Sequence, residues 1–136
     1  MKSDDGIAVS KEFPISDNSV TADAATAIKE IAVAEDVEFI MDVDLNSYVG
    51  SSYTTGYLQG RYIVNRASGG NVTLTSINTP AVGARASSRV PSVTADTGAQ
   101  KIKINARADG TNAIYVAGKV VVTGQQGQVP DLADPA

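Results

Sequence analysis

The most regular feature of the sequence is an alternation of apolar and polar residues that begins at Val37. Apolar side chains occupy every second position from Val37 to Leu45, and most of the residues between them are acidic, including Asp42 and Asp44. A period of two over nine residues puts each set of side chains on its own face of a β-strand. The segment therefore predicts a strand with one buried face and one acidic face.

Shorter segments with strand character follow along the chain, separated by turn residues. Residues 53–66 predict a strand with apolar groups on both faces, and Ser68-Gly69-Gly70-Asn71 predicts a turn because glycine adopts positive φ at little cost. Further strands are predicted at 24–34, 72–77, 90–94, 101–108 and 113–123. About seven to eight strands without a long helix favour an all-β fold, an antiparallel, jelly-roll-like β-sandwich.

Both ends of the chain lack this regularity. Residues 1–24 predict an extended arm with at most one short strand, in which Phe13, Pro14 and Ile15 form an apolar contact patch. Residues 125–136 are interrupted by prolines and predict a second arm, either disordered or docked. The predicted organisation is an N-terminal arm (1–24), a β-sandwich domain (25–124) and a C-terminal arm (125–136).

Four motifs follow one another in a characteristic order: TAIKEIAV (26–33), VEFIMDVDLNS (37–47), GYLQGRYIVNRASGGNVTLTS (56–76) and KIKINARADGTNAIYVAGKVVVTG (101–124). Together they resemble a β-sandwich module of bacteriophage virion proteins, which include tail-fibre ends and capsid-associated proteins. The resemblance covers nearly the whole chain outside the arms. It implies a non-enzymatic, often trimeric protein whose last motif forms a terminal hairpin. That module often carries a Trp near this hairpin, and this chain has none.

The composition excludes many kinds of catalytic and metal site, because the 136 residues include no Cys, His or Trp. Without Cys there is no disulfide, thiolate zinc site or thiol nucleophile. Without His there is no Ser–His–Asp triad and no imidazole metal site, so Ser87 and Ser88 have no catalytic partner. We expect no enzymatic activity, no cofactor and no metal site.

Asp42 and Asp44 lie on the same face of one predicted strand. Paired carboxylates can serve as an acid–base pair or a hard-cation site. A hydrolase pair needs one carboxylate in an apolar pocket, and a calcium site needs a glycine-containing loop, which this strand does not offer. We expect a solvated or interface-facing strand, with cation binding as the alternative.

Charge is distributed unevenly along the chain. Residues 1–46 hold 11 acids and 3 bases, whereas residues 47–128 hold 2 acids and 8 bases. One interpretation is that strands from both halves interleave and neutralise each other locally. The other is that copies assemble with acidic faces against basic ones. The formal net charge of −4 gives no general reason to bind nucleic acid.

Two groups of residues outside the arms are candidates for contacts with a partner. Arg85 and Arg89 lie four apart in the long loop at 78–98, where we favour protein contact over nucleic acid because no aromatic residues lie nearby. Four tyrosines fall within fifteen residues: Tyr48, Tyr53, Tyr57 and Tyr62. Such tyrosines usually line a subunit interface, and they can also stack on sugars.

These expectations combine into a non-enzymatic structural protein of a phage particle. The preferred role is a capsid cement or decoration protein that binds the major capsid protein, as a homo-oligomer with a trimer favoured. The predicted contacts lie in the arms and the long loop: Phe13, Pro14, Ile15, Arg85, Arg89, Val129, Pro130 and Leu132. The alternative is a tail-fibre or receptor-binding tip that contacts host glycans; we expect such a tip to be joined to a long shaft, and for that reason prefer the cement role.

The expected location is the capsid surface of the virion, after synthesis in the host cytoplasm. Acidic residues follow Met1 and Lys2, where a signal peptide would continue with an apolar stretch. No apolar run approaches the ~18 residues of a transmembrane helix. We therefore expect no contact with a membrane.

Overall fold

A computed structural model describes residues 8–20, 24–49, 53–78, 81–84, 91–107 and 114–135. These residues form β-strands and contain no helix that is long and apolar enough to cross a membrane. The strands are β1 (Ala8–Val20), β2 (Thr26–Ala32), β3 (Val37–Val49), β4 (Tyr53–Arg66), β5 (Thr73–Ser76), β6 (Ala81–Ala84), β7 (Ser92–Asp96), β8 (Lys101–Ala106) and β9 (Ile114–Gln125).

The strands form two antiparallel sheets. The larger sheet has the order β1-β9-β3-β4-β5, with β6 also paired to β4, and the smaller sheet has the order β2-β8-β7. The first strand pairs with the last, and the second pairs with the last but one, which is the nested order of a jelly roll. The consecutive β3–β4 hairpin departs from that order. The prediction of an all-β antiparallel sandwich is confirmed.

The core lies between the inner faces of the two sheets. In β3 the alternating residues Phe39, Met41, Val43 and Leu45 are all at most 2% exposed, as their spacing predicts. The smaller sheet contributes fully buried isoleucines from β2 and β8, namely Ile31, Ile102 and Ile104. Each such side chain contributes about 1.5–3 kcal/mol by leaving water, so this layer is the main source of stability.

Gly118 marks the tightest backbone approach in the larger sheet. It lies on β9 opposite Leu45 of β3 and Ile15 of β1, with a φ of 153°. A Cβ at this position would overlap the carbonyl oxygen of Asp44. Only glycine lets β9 lie this close to β3 without displacing the backbone.

Strand β1 differs from the predicted N-terminal arm. Ala8–Val20 pair along β9, and the Ile15 and Val20 side chains are 3% and 5% exposed. The register shifts between Asp17 and Val20, and Lys11 takes an inward position opposite the buried Val122. These two irregularities hide the period of two that would have identified the strand.

The last motif also differs from the terminal hairpin that the resemblance implied. Strand β8 pairs with β2 and β7 in the smaller sheet, whereas β9 pairs with β1 and β3 in the larger one. The connection at 108–113 lies outside the described residues. Two strands that follow each other in the sequence thus cross from one sheet to the other, because each completes the buried face of a different layer.

The C-terminal residues are docked, which is one of the two predicted states of this arm. We call residues 126–135 the strap. Ala133 of the strap forms a β-bridge with Glu30 of β2, and Val129 and Leu132 pack against the core. The strap thereby runs from the end of β9 in the larger sheet to the edge of the smaller sheet.

Candidate interaction surface

The outer face of the larger sheet presents aliphatic side chains to solvent. Ile40 of β3 and Ile63 of β4 are direct cross-strand partners, and Ile40 is 37% exposed. Val121 of β9 is the partner of Asp42, two positions along from Ile40. Ile77 follows β5 and is 46% exposed. We call these four residues the aliphatic patch: Ile40, Ile63, Ile77 and Val121.

An ion pair lies within the aliphatic patch. Arg61 of β4 donates two hydrogen bonds to the Asp42 carboxylate, from Nε at 2.6 Å and from an Nη at 3.2 Å. The hydrogen bond to Asp42, reinforced by its negative charge, raises the pKa of the Arg61 guanidinium above its usual value. The fork of donors holds the arginine in one orientation relative to the carboxylate.

Two shallow depressions extend the patch in opposite directions. One of about 490 Å³ lies beside the ion pair and includes Asp44, Gln59 and Lys119 in its lining. The other, of about 470 Å³, includes Ile40, Ile63 and Glu38 in its lining. Both depressions are open to solvent, so neither would enclose a small molecule on all sides as a typical ligand pocket does.

The acidic face of β3 is engaged by neighbouring side chains. Asp42 binds Arg61, and Asp44 accepts a hydrogen bond from the Gln59 side-chain amide at 3.4 Å. Within the described ranges, no group of three or more acidic residues is placed to hold a metal ion. The two carboxylates that the sequence singled out therefore lie side by side on a solvated strand face.

A tyrosine cluster lies at the far end of the same face. The rings of Tyr48 on β3 and Tyr115 on β9 stack with centroids 5.3 Å apart and an interplanar angle of 28°. Tyr57 of β4 is exposed and is the cross-strand partner of Asn46. The tyrosine cluster is Tyr48, Tyr57 and Tyr115. Tyr115 escaped sequence reasoning because only the pairing of β3 with β9 brings it to Tyr48.

Several predicted contact residues are instead part of the folded interior. Ile15 is buried, Phe13 packs against the core, and Pro14 is exposed on the edge strand β1, where a missing N–H is tolerated. Tyr62 is 5% exposed and its ring covers Gly60. Burial raises the pKa of the Tyr62 phenol. The side chains of Ile15 and Tyr62 are therefore buried within the fold, and Phe13 is partly buried against its core.

The remaining predicted residues fall into two groups. Val129, Pro130 and Leu132 lie half-buried in the strap, on the protein's own domain. Arg85 and Arg89 lie outside the described residues. Tyr53 begins β4, and its side chain is likewise outside the described part of the chain.

The outer face of the smaller sheet is polar and paired within itself. Glu30 of β2 accepts a hydrogen bond from the Lys101 ammonium at 3.0 Å and lies 3.9 Å from that of Lys103. Lys103 also binds Asp96 at 3.0 Å. The hydrogen bond from Lys103, then that from the Ala99 backbone N–H, lowers the pKa of Asp96, and Asp96 in turn raises the pKa of Lys103.

The ion pairs explain the uneven charge of the sequence. Among the described residues, five of them join an acid from residues 1–46 to a base from residues 47–128: Arg61–Asp42, Lys101–Glu30, Lys103–Glu30, Lys119–Glu12 and Arg66–Glu35. Strands of the two halves are neighbours in both sheets, so opposite charges meet across the ladders. The strands of the two halves therefore interleave, as the interpretation of local neutralisation requires.

Comparisons with known proteins leave the family of this chain open. No protein-family model and no curated protein matches it. A similar solved structure is the tailspike protein of Acinetobacter baumannii phage AM24, with 10% sequence identity and a TM-score of 0.47. The overlap covers 94% of this chain and 28% of the tailspike chain. An overlap this loose carries no assignment of function.

Proposed function

We propose that this chain is a non-enzymatic structural protein of a bacteriophage particle that binds the major capsid protein as a cement or decoration protein. The motif order that resembles the virion module supports this, and so does the all-β sandwich. The observation that carries the proposal is the aliphatic patch with its fixed Arg61–Asp42 ion pair. It offers a broad, ordered and partly apolar face, whereas the opposite face is polar and internally paired.

The patch has the composition of a docking face. Interface centres combine aliphatic and aromatic side chains with arginine, and a few of these residues supply most of the binding free energy. Ile40 and Ile63 would leave water on binding, and the Arg61–Asp42 pair would meet the partner without first being ordered. Each copy bound to the lattice adds free energy to the assembled shell only, which raises its resistance to heat.

The test is binding of the purified protein to shells that lack it. We expect saturable binding and a higher temperature of shell rupture. The double variant Ile40→Ser, Ile63→Ser should bind at least about tenfold more weakly, because it removes two apolar anchors. The matched control is Ala32→Ser, an exposed position on the outer face of the smaller sheet, which should bind like the parent protein. The proposal would be overturned if the parent protein did not bind to the capsid shells.

The second candidate function is a receptor-binding tip that contacts host glycans. The observation that favours it is the tyrosine cluster, because aromatic rings beside an amide such as Asn46 suit stacking and hydrogen bonding with sugars. In this function Tyr57→Ala and Tyr115→Ala should abolish binding to host polysaccharide and leave shell binding unchanged. Copy number separates the two functions: many copies over the shell favour the cement role, and a few copies at the tail favour the tip.

A further inference from the structure

The edge strands β1 and β2 of the two sheets are in contact, and each carries one lysine. We call the surface along these two edges, over which the strap lies, the groove. Lys11 of β1 is the cross-strand partner of the buried Val122, and Lys29 of β2 is the partner of the buried Ile104. Because cross-strand partners share a face, both lysines start on the inner sides of their sheets. A lysine so placed extends its ammonium group outward to remain hydrated. The two sheets thus each supply a positive charge to the opening between them.

The strap matches these charges. Asp131 lies 3.0 Å from the Lys11 ammonium and Asp134 binds the Lys29 ammonium. Lys11 also donates a hydrogen bond of 3.1 Å to the carbonyl oxygen of Val129. The acids of the strap are therefore spaced so that one meets each edge of the sandwich.

Backbone and apolar contacts complete the fit. Ala133 exchanges two hydrogen bonds of 2.8 Å with Glu30 of β2. Val129 and Leu132 pack against the core from the open side of the groove. Backbone pairing to a sheet edge, combined with side-chain contacts beside it, is the way in which sheet edges recognise extended peptides.

The strap is joined to its own domain by a turn that can open. The N–H of Gln128 bonds the Gln125 carbonyl oxygen at 2.9 Å, and Gly127 adopts a φ of 88° with no atom near its missing Cβ. The carboxylates of Asp131 and Asp134 are 76% and 83% exposed, and ion pairs this exposed contribute little. Release of the strap therefore costs chiefly the two backbone hydrogen bonds of Ala133 and the packing of Val129 and Leu132, all of which a second copy's strap would replace.

We infer that the groove also accepts the strap of a second copy, so that two copies can be tied together by reciprocal strap exchange. The contacts are the same whether the strap belongs to the same chain or to another one, as in domain swapping. A short linker gives the chain's own strap an effective concentration on the order of millimolar. At protein concentrations well below this value, each copy keeps its own strap docked. Copies held together at a local concentration close to this value exchange their straps. This inference does not depend on the proposed function.

The test uses two full-length variants with complementary charges. The first, Lys11→Glu with Lys29→Glu, has an acidic groove and the natural acidic strap. The second, Asp131→Lys with Asp134→Lys, has the natural basic groove and a basic strap. In each variant the groove and its own strap carry like charges, which disfavours self-docking, whereas each groove is opposite in charge to the strap of the other variant. The variant with all four substitutions restores docking within one chain and is the matched control.

The expected result is a heterodimer of twice the monomer mass when the two variants are mixed at about 100 µM, measured by sedimentation, while each variant alone and the fourfold variant stay monomeric. High salt should weaken the heterodimer, because it screens the exposed exchanged pairs. A mixture that remains monomeric up to millimolar concentration overturns the inference. Dimers of either variant alone would also overturn the inference, because in such a dimer the groove and the strap carry like charges and exchange of straps would not explain the association.

A second measurement uses the unaltered groove and strap. Gly127→Val penalises the left-handed turn that returns the strap to its own domain, without touching the groove, and should shift the balance toward dimer by about tenfold. Gly127→Asn is the control, because asparagine tolerates this backbone conformation better. Equal and purely monomeric sedimentation of both variants and of the parent protein at millimolar concentration would contradict strap exchange.

Discussion

The two sheets present outer faces of different character, although both carry ion pairs between neighbouring strands. On the smaller sheet, Glu30 is 7% exposed and meets Lys101 and Lys103. On the larger sheet, Arg61 and Asp42 pair in the open, surrounded by exposed isoleucines. The charged groups on the outer face of the smaller sheet are therefore paired with one another. On the second face the ion pair leaves apolar surface uncovered, which is where a partner gains free energy on binding.

The largest expected effect tests how the larger sheet is assembled. Gly118→Ala places a methyl group on the Asp44 carbonyl and should lower the free energy of unfolding by about 3 kcal/mol or more. Because β9 carries both Val121 and Tyr115, its displacement should disorder the outer face as well. Thermal and denaturant unfolding measure this effect.

The control is Gly69→Ala. Gly69 has a φ of 70° and no atom near its missing Cβ, so alanine adds backbone strain without a clash. It should cost about 1–2 kcal/mol. Equal losses at the two positions would mean that the close approach of β9 and β3 is not what requires glycine.

The next effect compares one ion pair from each face. Glu30→Gln removes a carboxylate that is mostly buried and has two ammonium neighbours, and should cost about 1–3 kcal/mol of unfolding free energy. Asp42→Asn removes the partner of an exposed pair and should cost less than about 1 kcal/mol. Chemical denaturation of both variants gives the comparison, which fails if Asp42→Asn is the more damaging change.

The smallest effect concerns titration on the smaller sheet. Lys103→Ala removes the main cause of the lowered pKa of Asp96, so that pKa should rise toward its usual value. A carboxylate with a lowered folded-state pKa stabilises the fold above its unfolded-state pKa, and this stabilisation is lost as the pH falls through the folded-state value. The variant should therefore lose less stability than the parent protein between about pH 4 and the lower pKa of Asp96.

The measurement is an NMR titration of the Asp96 side chain, with unfolding followed over the same pH range. Lys119→Ala is the control because Lys119 contacts Glu12 on the other sheet. An Asp96 pKa that is the same in the parent and in Lys103→Ala would contradict the assignment.

Local pattern predicted those parts of the fold in which one face is buried along its whole length. The alternation in β3 and the turn at Gly69 are set by neighbouring residues, so they could be read from the sequence. Strand β1 could not, because Lys11 takes an inward position and the strap neutralises it there. The sequence of residues 8–20 alone does not indicate that the strap will neutralise Lys11.

The candidate surface was only partly predictable for the same reason. The sequence singled out Tyr48 and Tyr57, but it also included Tyr62, whose place on the inner face depends on the register of β4 with β3. The stack of Tyr48 on Tyr115 and the aliphatic patch depend on pairing between strands that lie far apart in the sequence. Such pairings are decided by the packing of the two sheets and not by local propensity.

The most direct test of the central claim is to measure which face the lattice covers. The chain has no cysteine, so single cysteines report accessibility without interference. Thr75→Cys places a thiol on the outer face of the larger sheet, and Ala32→Cys places one on the smaller sheet. Maleimide labelling of shell-bound protein should slow at least about tenfold at position 75 and stay unchanged at position 32. Protection at position 32 with free labelling at position 75 would contradict the account.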